Sequence, residues 1–573
     1  MNQTLQARLY DRLENAPDRR AFAFYNGRGE FSWQTFGQFY QQAAGRAARL
    51  ADWGLGKGDV CLIILPSGEL SATLLFSSLL LGAVPLLIAP PTIQDQGAYS
   101  SLSRIIKRII RKTKPRLVVC ADSMVDMRSD IENGQASTRY LFGESDVSPA
   151  SWTLPRSVLP AETDVAAMQL TSGTTGFPRV CVWQQKNVMA ALDGMVAAMK
   201  LNIEDICLNW TPLYHDMGLV NNFLLCLTHG VPLVMLNPLN FVHKPAIWLQ
   251  ALHDTGATMT WSPNFGFAIT AQRVRDEQID GVRLDGVRGF WNAAERIHLD
   301  TMLAFHKRFE PFGLRFEALK TNFGCAENVG GATFSDPHES FIFERIDRSL
   351  FQRKRIARPA PDSALEHETI TVVGVGRPHP AMRVKILSRT GRPLPEGHIG
   401  EIALDTPSRM AGYLNDARAT RQALFGELLR TGDLGYMRGE ELFWVGRVKE
   451  RINVRGKKMD PSDFEPVLLE ISGLRQGCFA AFGVDEEELG TQRIVIISEV
   501  REPLSRDRQE LRDEIRDRIL RKLGVIVDDV VLVQPGTLTK TSSGKRRHRY
   551  FKKLYLDGGL KPFEFSKDGP VSA

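Results

Sequence analysis

The stretch TSGTTGFPR, residues 171–179, sets two glycines and four hydroxyl side chains ahead of a proline and a cation. It is too polar for a core, and it follows an apolar run, VAAMQL, that reads as a strand. A glycine-rich turn leaving a strand directs backbone N–H groups inward and can hold phosphate oxygens, with Thr and Ser hydroxyls as further donors. It is not the Walker pattern, which needs Gly-Lys-Ser/Thr after four free positions. Alone the stretch reads as a solvated turn; the company it keeps decides otherwise.

The chain has 573 residues, more than one hydrophobic core supports, so at least two domains are expected. A hydrophobic share of 43% and a charged share of 24% are those of a globular protein. The net charge is +6, but 72 cations among 66 anions make a mixed surface, which argues against a nucleic-acid partner. Seven cysteines, without C-x-x-C spacing, argue against a disulfide framework and a zinc site and point to a reducing, cytoplasmic setting. The N-terminus shows no export signal, since MNQTLQARLYDRLENAP has charges where an apolar segment would stand. The run LSATLLFSSLLLGAVPLLIAPP, 70–91, approaches membrane-spanning length, but Pro85 interrupts it. A buried helix near Leu70–Leu81 followed by the strand VPLLIA is the expected reading, and no transmembrane segment.

Short apolar strands (VCLIILP, RLVVCA, VPLVML) alternate with helical stretches such as TFGQFYQQAAGRAARLADWG, the mark of parallel α/β architecture. The character changes near Gly446–Arg451. Beyond lie two strands, CFAAFGV and RIVIISEV, and a charged helix, SRDRQELRDEIRDRILRKLG, which together make a small α+β unit. The fold class expected is therefore α/β, with a large domain over 1–447 and a small one over 448–573. The basic helix SRIIKRIIRKTK, 103–114, has isoleucines on one face; it packs them on the core or, alternatively, touches a membrane.

Further stretches have residue types that a nucleotide needs: YHDMG at 214–218, NAAE at 292–295, NFGCAE at 322–327, RTGDLGY at 430–436, GRVKERINVRGKKMDP at 446–461 and SSGK at 542–545. In this order, behind TSGTTG, they resemble the adenylate-forming superfamily of acyl-CoA synthetases, luciferases and nonribosomal peptide adenylation domains. Within it the chain looks closest to the fatty acyl-AMP ligases: PLYHDMGLV resembles their PxYHDMGLI, NAAERI their NGAEPV, and RFEPFGLRFEALKTNFGCAE their RFxPxGFxxxALxPxYGLAE. The long connection Ser340–Glu366, containing IDRSLFQRKRIARP, sits where those ligases have extra residues.

The resemblance implies a multi-subdomain adenylate-forming domain with a mobile C-terminal lid. It implies attack by a fatty carboxylate on the α-phosphate of ATP, then acyl transfer to the phosphopantetheine thiol of an acyl carrier protein; an acyl-CoA ligase is the same-fold alternative, and a non-catalytic lipid-binding member the alternative of another class. By the same resemblance, Thr171, Ser172, Gly173, Thr174, Thr175 and Gly176 with Arg179 hold the β- and γ-phosphates, and Glu327 holds Mg²⁺. Lys545 is the catalytic cation; the competing reading makes KRRHRYFKK a solvated basic tail. Asp433 accepts from the ribose hydroxyls with help from Arg447. The chain at Asn292, Ala293, Ala294 and Glu295, with the Asn322–Phe323–Gly324–Cys325–Ala326 segment, flanks the adenine, unless Phe323 is simply core. His215, with Asp216, Met217 and Gly218, borders the acyl entrance.

Four positions depart from the relatives' pattern: Arg179 for lysine, Val180 for glycine, Gln185 for histidine and Phe323 for tyrosine. Lys449 falls at the position where the lid of such enzymes pivots between its two half-reactions. Lys449→Pro, which fixes φ there, is expected to slow overall turnover more than it weakens ATP binding. Steady-state kinetics beside nucleotide titration checks this, and unchanged turnover would count against the pivot.

Overall fold

The computed structural model describes residues 4–90, 96–132, 138–143, 145–148, 159–171, 178–454, 457–486, 491–501, 506–541 and 545–560. Apolar segments of four to six residues cannot face water on either side, so they stack into sheets with helices over both faces. One sheet of seven strands runs Gly412–Tyr413, Val180–Gln184, Val165–Leu170, Val84–Leu87, Val60–Ile64, Leu117–Cys120, Arg139–Phe142. Its pairings are antiparallel among the first three strands and parallel thereafter. A second sheet of nine strands has a parallel centre that includes Cys207–Asn209, Met259–Pro263, Gly289–Ala293 and Leu319–Cys325, with antiparallel strands at both edges.

The α/β expectation holds, and the run at 70–91 behaves as a core element. Glu69–Leu80 is a helix buried from Ser71 onward, and Val84–Leu87 is a buried strand. The helix tolerates burial because the hydroxyls of Thr73, Ser77 and Ser78 donate to the carbonyls of Glu69, Thr73 and Leu74 at 2.9, 2.7 and 2.9 Å, leaving no donor unmet. Among the described residues no helix is long and apolar enough to cross a membrane. The basic helix Gln96–Thr113 buries Ile106, Ile109 and Ile110 in the main core while Arg104, Arg108 and Arg111 are exposed, so over 104–113 its apolar side packs on the core.

A third sheet, which the periodicity did not announce, is five-stranded and wholly antiparallel: Arg383–Leu387, Gly400–Asp405, Leu428–Arg438 and Leu424–Phe425, with Glu441–Arg447 on the far side of Leu428–Arg438. Only one helix, Ala417–Ala423, interrupts its strands, and neighbouring strands pair antiparallel, so the regular α/β alternation breaks there. The C-terminal strands Leu474–Glu486, Thr491–Val500 and Asp529–Val533 form a separate sheet whose apolar cluster, from Ile452 to Leu532, packs with the helix Arg508–Leu523. Its other face covers Phe551 of the helix His548–Leu556. In the connection 340–366, Phe343–Asp347 pairs with Thr369–Val373, and the turn Leu350–Lys354 meets the strand Lys457–Met459, where Gln352 Nε2 lies 3.6 Å from Met459 Sδ.

Behind the parallel strands sits an aromatic cluster. Trp248 touches Trp210, Phe241, Phe267, Phe290 and Phe305 with ring centroids 5.5 to 6.2 Å apart, and its indole N–H donates to Thr260 Oγ1 at 2.9 Å. All nine tryptophans precede the small C-terminal sheet, the last being Trp444. Phe305 is fully buried against four other rings. Phe305→Ala is expected to cost about 3–5 kcal/mol, through lost burial plus the void it leaves. Urea unfolding followed by tryptophan emission measures this, and a loss below about 1 kcal/mol would mean that the cluster collapses to fill the space.

Candidate active site

The 171–179 stretch joins two paired strands. Val165–Leu170 and Val180–Gln184 pair antiparallel, and at its base Thr171 N–H donates to the Arg179 carbonyl at 2.8 Å while Arg179 N–H donates to Thr171 Oγ1 at 3.1 Å. Ser172, Gly173, Thr174, Thr175 and Gly176 lie outside the described residues. Val180 begins the second strand with extended backbone, which is why a β-branched residue is tolerated there. Gln185 is buried and accepts from the Leu5 N–H at 3.0 Å, so it anchors the N-terminal helix.

Next to the loop stands Tyr413, on the edge strand Gly412–Tyr413 paired to Cys181 and Val182. Its hydroxyl donates to Glu327 Oε1 at 2.7 Å, and the Arg179 guanidinium lies over its ring, 5.2 Å from the centroid. Arg179 also reaches Asp416, Nε to Oδ2 3.6 Å. Glu327 thus sits beside the base of the hairpin loop. Burial pushes its carboxyl above the usual carboxylate range, against the hydrogen bond from Tyr413 and the charge of Arg447. Gly324, in the same NFGCAE stretch, has to be glycine: a Cβ there would lie 2.4 Å from the Gly330 carbonyl oxygen.

Asp433 and Arg447 face each other as register partners on adjacent antiparallel strands, Oδ1 to Nε 3.3 Å, with Asp433 buried. Arg447 keeps its charge because Asp433, Glu450 and Glu327 outweigh burial. The turn 448–450 follows directly, and in it Lys449 is exposed. On the opposite wall His215 caps the turn Asp216–Gly218: its Nδ1 accepts from Met217 N–H at 3.1 Å and lies 2.8 Å from Asp216 Oδ1. Burial raises the Asp216 carboxyl, but His215 and Lys545 outweigh it and hold it low. Gly218 permits the close crossing beneath, since a Cβ would come within 2.3 Å of the Pro212 carbonyl. Met217 is core.

Lys545 arrives from the C-terminal lobe. Its N–H donates to Thr541 Oγ1 at 3.0 Å and its carbonyl accepts from Thr541 N–H at 2.9 Å, a small ring that fixes the backbone. The half-buried ammonium is pushed down by burial and then by Arg447, while Asp216, Asp433 and Glu295 pull it the other way. Charge therefore couples Lys545 to Arg447, Asp433, Asp216 and Glu295, and Arg447 in turn to Glu327.

The remaining expected residues divide. Asn292 is fully buried and donates to Asn264 Oδ1 at 3.1 Å, so its side chain points into the core. The backbone after it turns sharply: Ala294 has φ 72°, a left-handed conformation an alanine adopts only under constraint. Glu295 Oε1 accepts from Phe265 N–H at 2.7 Å and thereby caps the helix Asn264–Arg273. Asn322 donates to the Phe323 and Thr333 carbonyls, both at 3.1 Å, and Phe323 is buried with them. Ala293 and Ala326 are buried, and Cys325 is half-buried. The sequence reading missed Tyr413 and Asp416. Among the described residues no group of three or more His, Cys, Asp or Glu gathers to hold a metal.

Glu327→Gln offers a test of this electrostatics. Because the folded-state pKa of Glu327 lies above its ordinary value, stability is full at low pH and falls as pH rises through the raised pKa. The neutral variant is expected to melt higher than the parent at pH 7, with the gain shrinking toward pH 4, while losing catalysis. Melting curves at the two pH values check the sign.

The sequence profile described as AMP-binding enzyme matches residues 9–414. A putative fatty-acid–CoA ligase, FadD25, of Mycobacterium tuberculosis is 28% identical over 96% of both chains. A medium-chain-fatty-acid–acyl-carrier-protein ligase, JamA, of Moorena producens is 27% identical over 95% of this chain and 94% of its own. A solved structure from work on fatty acyl-adenylate ligases of E. coli and L. pneumophila has a TM-score of 0.88 at 25% identity, covering 97% of this chain and 98% of that one. The chain belongs to the AMP-binding enzyme family.

Proposed function

We propose that this enzyme activates a fatty acid as its acyl-adenylate, releasing pyrophosphate, and passes the acyl group to the phosphopantetheine thiol of an acyl carrier protein. One observation carries the reading: Arg447 N–H donates to Asp460 Oδ2 at 3.3 Å and His298 lies 3.3 Å from Glu465, seating the lobe that bears Lys545 against the large lobe, where the charges of Asp216, Asp433 and Arg447 act on its ammonium. In the first step a carboxylate oxygen bonds to the α-phosphorus of ATP and the bond to pyrophosphate breaks. Two anions meet, so positive charge already in place lowers the barrier. In this reading Lys545 takes up the charge on the carboxylate and α-phosphate, and Arg179 with the 171–176 loop receives the leaving pyrophosphate. Asp433 and Arg447 hold the ribose, and the 293–295 and 323–325 backbones hold the adenine. Magnesium would be held by Glu327 and phosphate oxygens, and would neutralise developing charge on the leaving group.

The domain division at 447/448 and the pivot at Lys449 belong to the same proposal. They are supported by the exposed turn 448–450 and by the separate apolar cluster beginning at Ile452. The names of the relatives support a fatty acid substrate and split on the acceptor, FadD25 naming CoA and JamA a carrier protein. The free cysteines, five of seven buried, fit a cytoplasmic setting.

Pyrophosphate exchange into ATP with lauric acid is expected in the parent and lost by at least about a hundredfold in Lys545→Ala. A thiol-trapping assay offering CoA and holo carrier protein side by side is expected to load the carrier protein. Abundant acyl-CoA would replace the acceptor in this proposal, and absence of exchange with any fatty acid would remove the proposal altogether.

A further inference from the structure

Lys545 has a neighbour that the reaction does not require. Arg546 pairs with Glu465 through both guanidinium nitrogens, Nη1 to Oε2 at 2.9 Å and Nη2 to Oε1, with both side chains less than a fifth exposed. Its Nε donates to the Gly477 carbonyl at 3.3 Å, and its guanidinium lies over Phe479, 4.5 Å from the ring centroid. The same Glu465 carboxylate lies 3.3 Å from Nε2 of His298, which belongs to the large lobe. Two residues before His298, Arg296 pairs with Asp463 and donates to Ser462 Oγ at 3.1 Å, again from one lobe to the other. Asp463 Oδ2 accepts from Asp460 N–H at 2.8 Å, and Asp460 Oδ2 accepts from Arg447 N–H at 3.3 Å, which leads back to the ribose side of the crevice.

We propose that these residues form a two-limbed clasp, Arg296–Asp463 and His298–Glu465–Arg546, that sets where Lys545 stands, with Arg546 as its positioning residue. The inference rests on the two-step reading above. Arg546 is covalently next to Lys545, so the guanidinium fork on Glu465 fixes the chain leaving the catalytic ammonium, while Lys545's own backbone N–H is held by Thr541 Oγ1. Planar pairs of this kind hold direction as well as distance, and a displacement of about 1 Å at a reacting group costs on the order of a hundredfold in rate. All five side chains of the clasp are largely shielded from water, so they hold in one geometry and not along a path of partial ones. The clasp therefore favours the lobe arrangement that forms the adenylate and must part before a second face of the lid can approach a thiol.

Removing single partners would leave a buried charge and confuse stability with positioning, so paired neutral substitutions are the test. In Glu465→Gln/Arg546→Met, the kcat for pyrophosphate exchange is expected to fall by about tenfold or more with KM for ATP nearly unchanged, while transfer from supplied lauroyl-adenylate to holo carrier protein keeps its rate or gains. Trypsin cleavage after the exposed Lys449 should quicken in this variant and in Arg296→Met/Asp463→Asn, and slow again when the pair is exchanged as Arg296→Asp/Asp463→Arg. Equal loss in both half-reactions, or cleavage no faster than in the parent, overturns the clasp. If the parent shows no exchange with any fatty acid, the functional reading fails on its own, and the cleavage rates still decide the clasp.

Discussion

Like charges repel, and that one fact organises the molecule. A carboxylate cannot approach a triphosphate unless cations stand ready where the charge will build, and preparing them costs desolvation that only a folded protein can meet in advance. The large lobe contributes anions and the cations that balance them, as in the Asp433–Arg447 pair held in register across two strands. In the proposed reaction the deciding ammonium, Lys545, comes from outside that lobe. A lysine placed permanently beside Arg447 would be driven toward its neutral form; one supplied by a second lobe can be charged in solvent and brought in among Asp216, Asp433 and Glu295.

The architecture follows from the need to seat backbone and side chains at one rim. Parallel strands end together, so Gly289–Ala293 and Leu319–Cys325 deliver their last residues to one crevice, the usual place for a ligand in such sheets. The antiparallel sheet then brings Asp433 and Arg447 to the same rim from another direction. Tyr413 ties the pieces: its strand belongs to one sheet, its hydroxyl to the carboxylate of Glu327, and its ring to the guanidinium of Arg179.

Much of this was legible in the sequence where the signal was local. VAAMQL followed by a glycine-rich loop reads as strand and turn, and the structure has the strand at Val165–Leu170. The hydroxyl-bearing apolar helix at 69–80 could be told from a membrane segment because proline and a strand pattern bounded it. What escaped was long-range and side-chain-specific. Tyr413 meets Glu327 across 86 residues, and nothing within GYLND marks the tyrosine as a donor. Glu295 stood in a stretch read as adenine-flanking, yet its carboxylate caps a helix, because a buried N–H at Phe265 needs an acceptor. Asn292 likewise spends its amide on Asn264. Ladders such as Glu441–Arg447 on Leu428–Arg438 also escaped, since short β-ribbons joined by turns lack the periodic helix that advertises a parallel unit.

The distribution of indole rings has a practical side. With every tryptophan at or before position 444, indole emission comes from the large lobe alone. Trp444 is a partly exposed ring three residues ahead of Arg447 on the strand that leads into the seam. Under the proposed pivot at Lys449 it is a built-in optical probe beside the joint, and substituting the other indoles leaves a single fluorophore whose colour would report that movement without an attached dye.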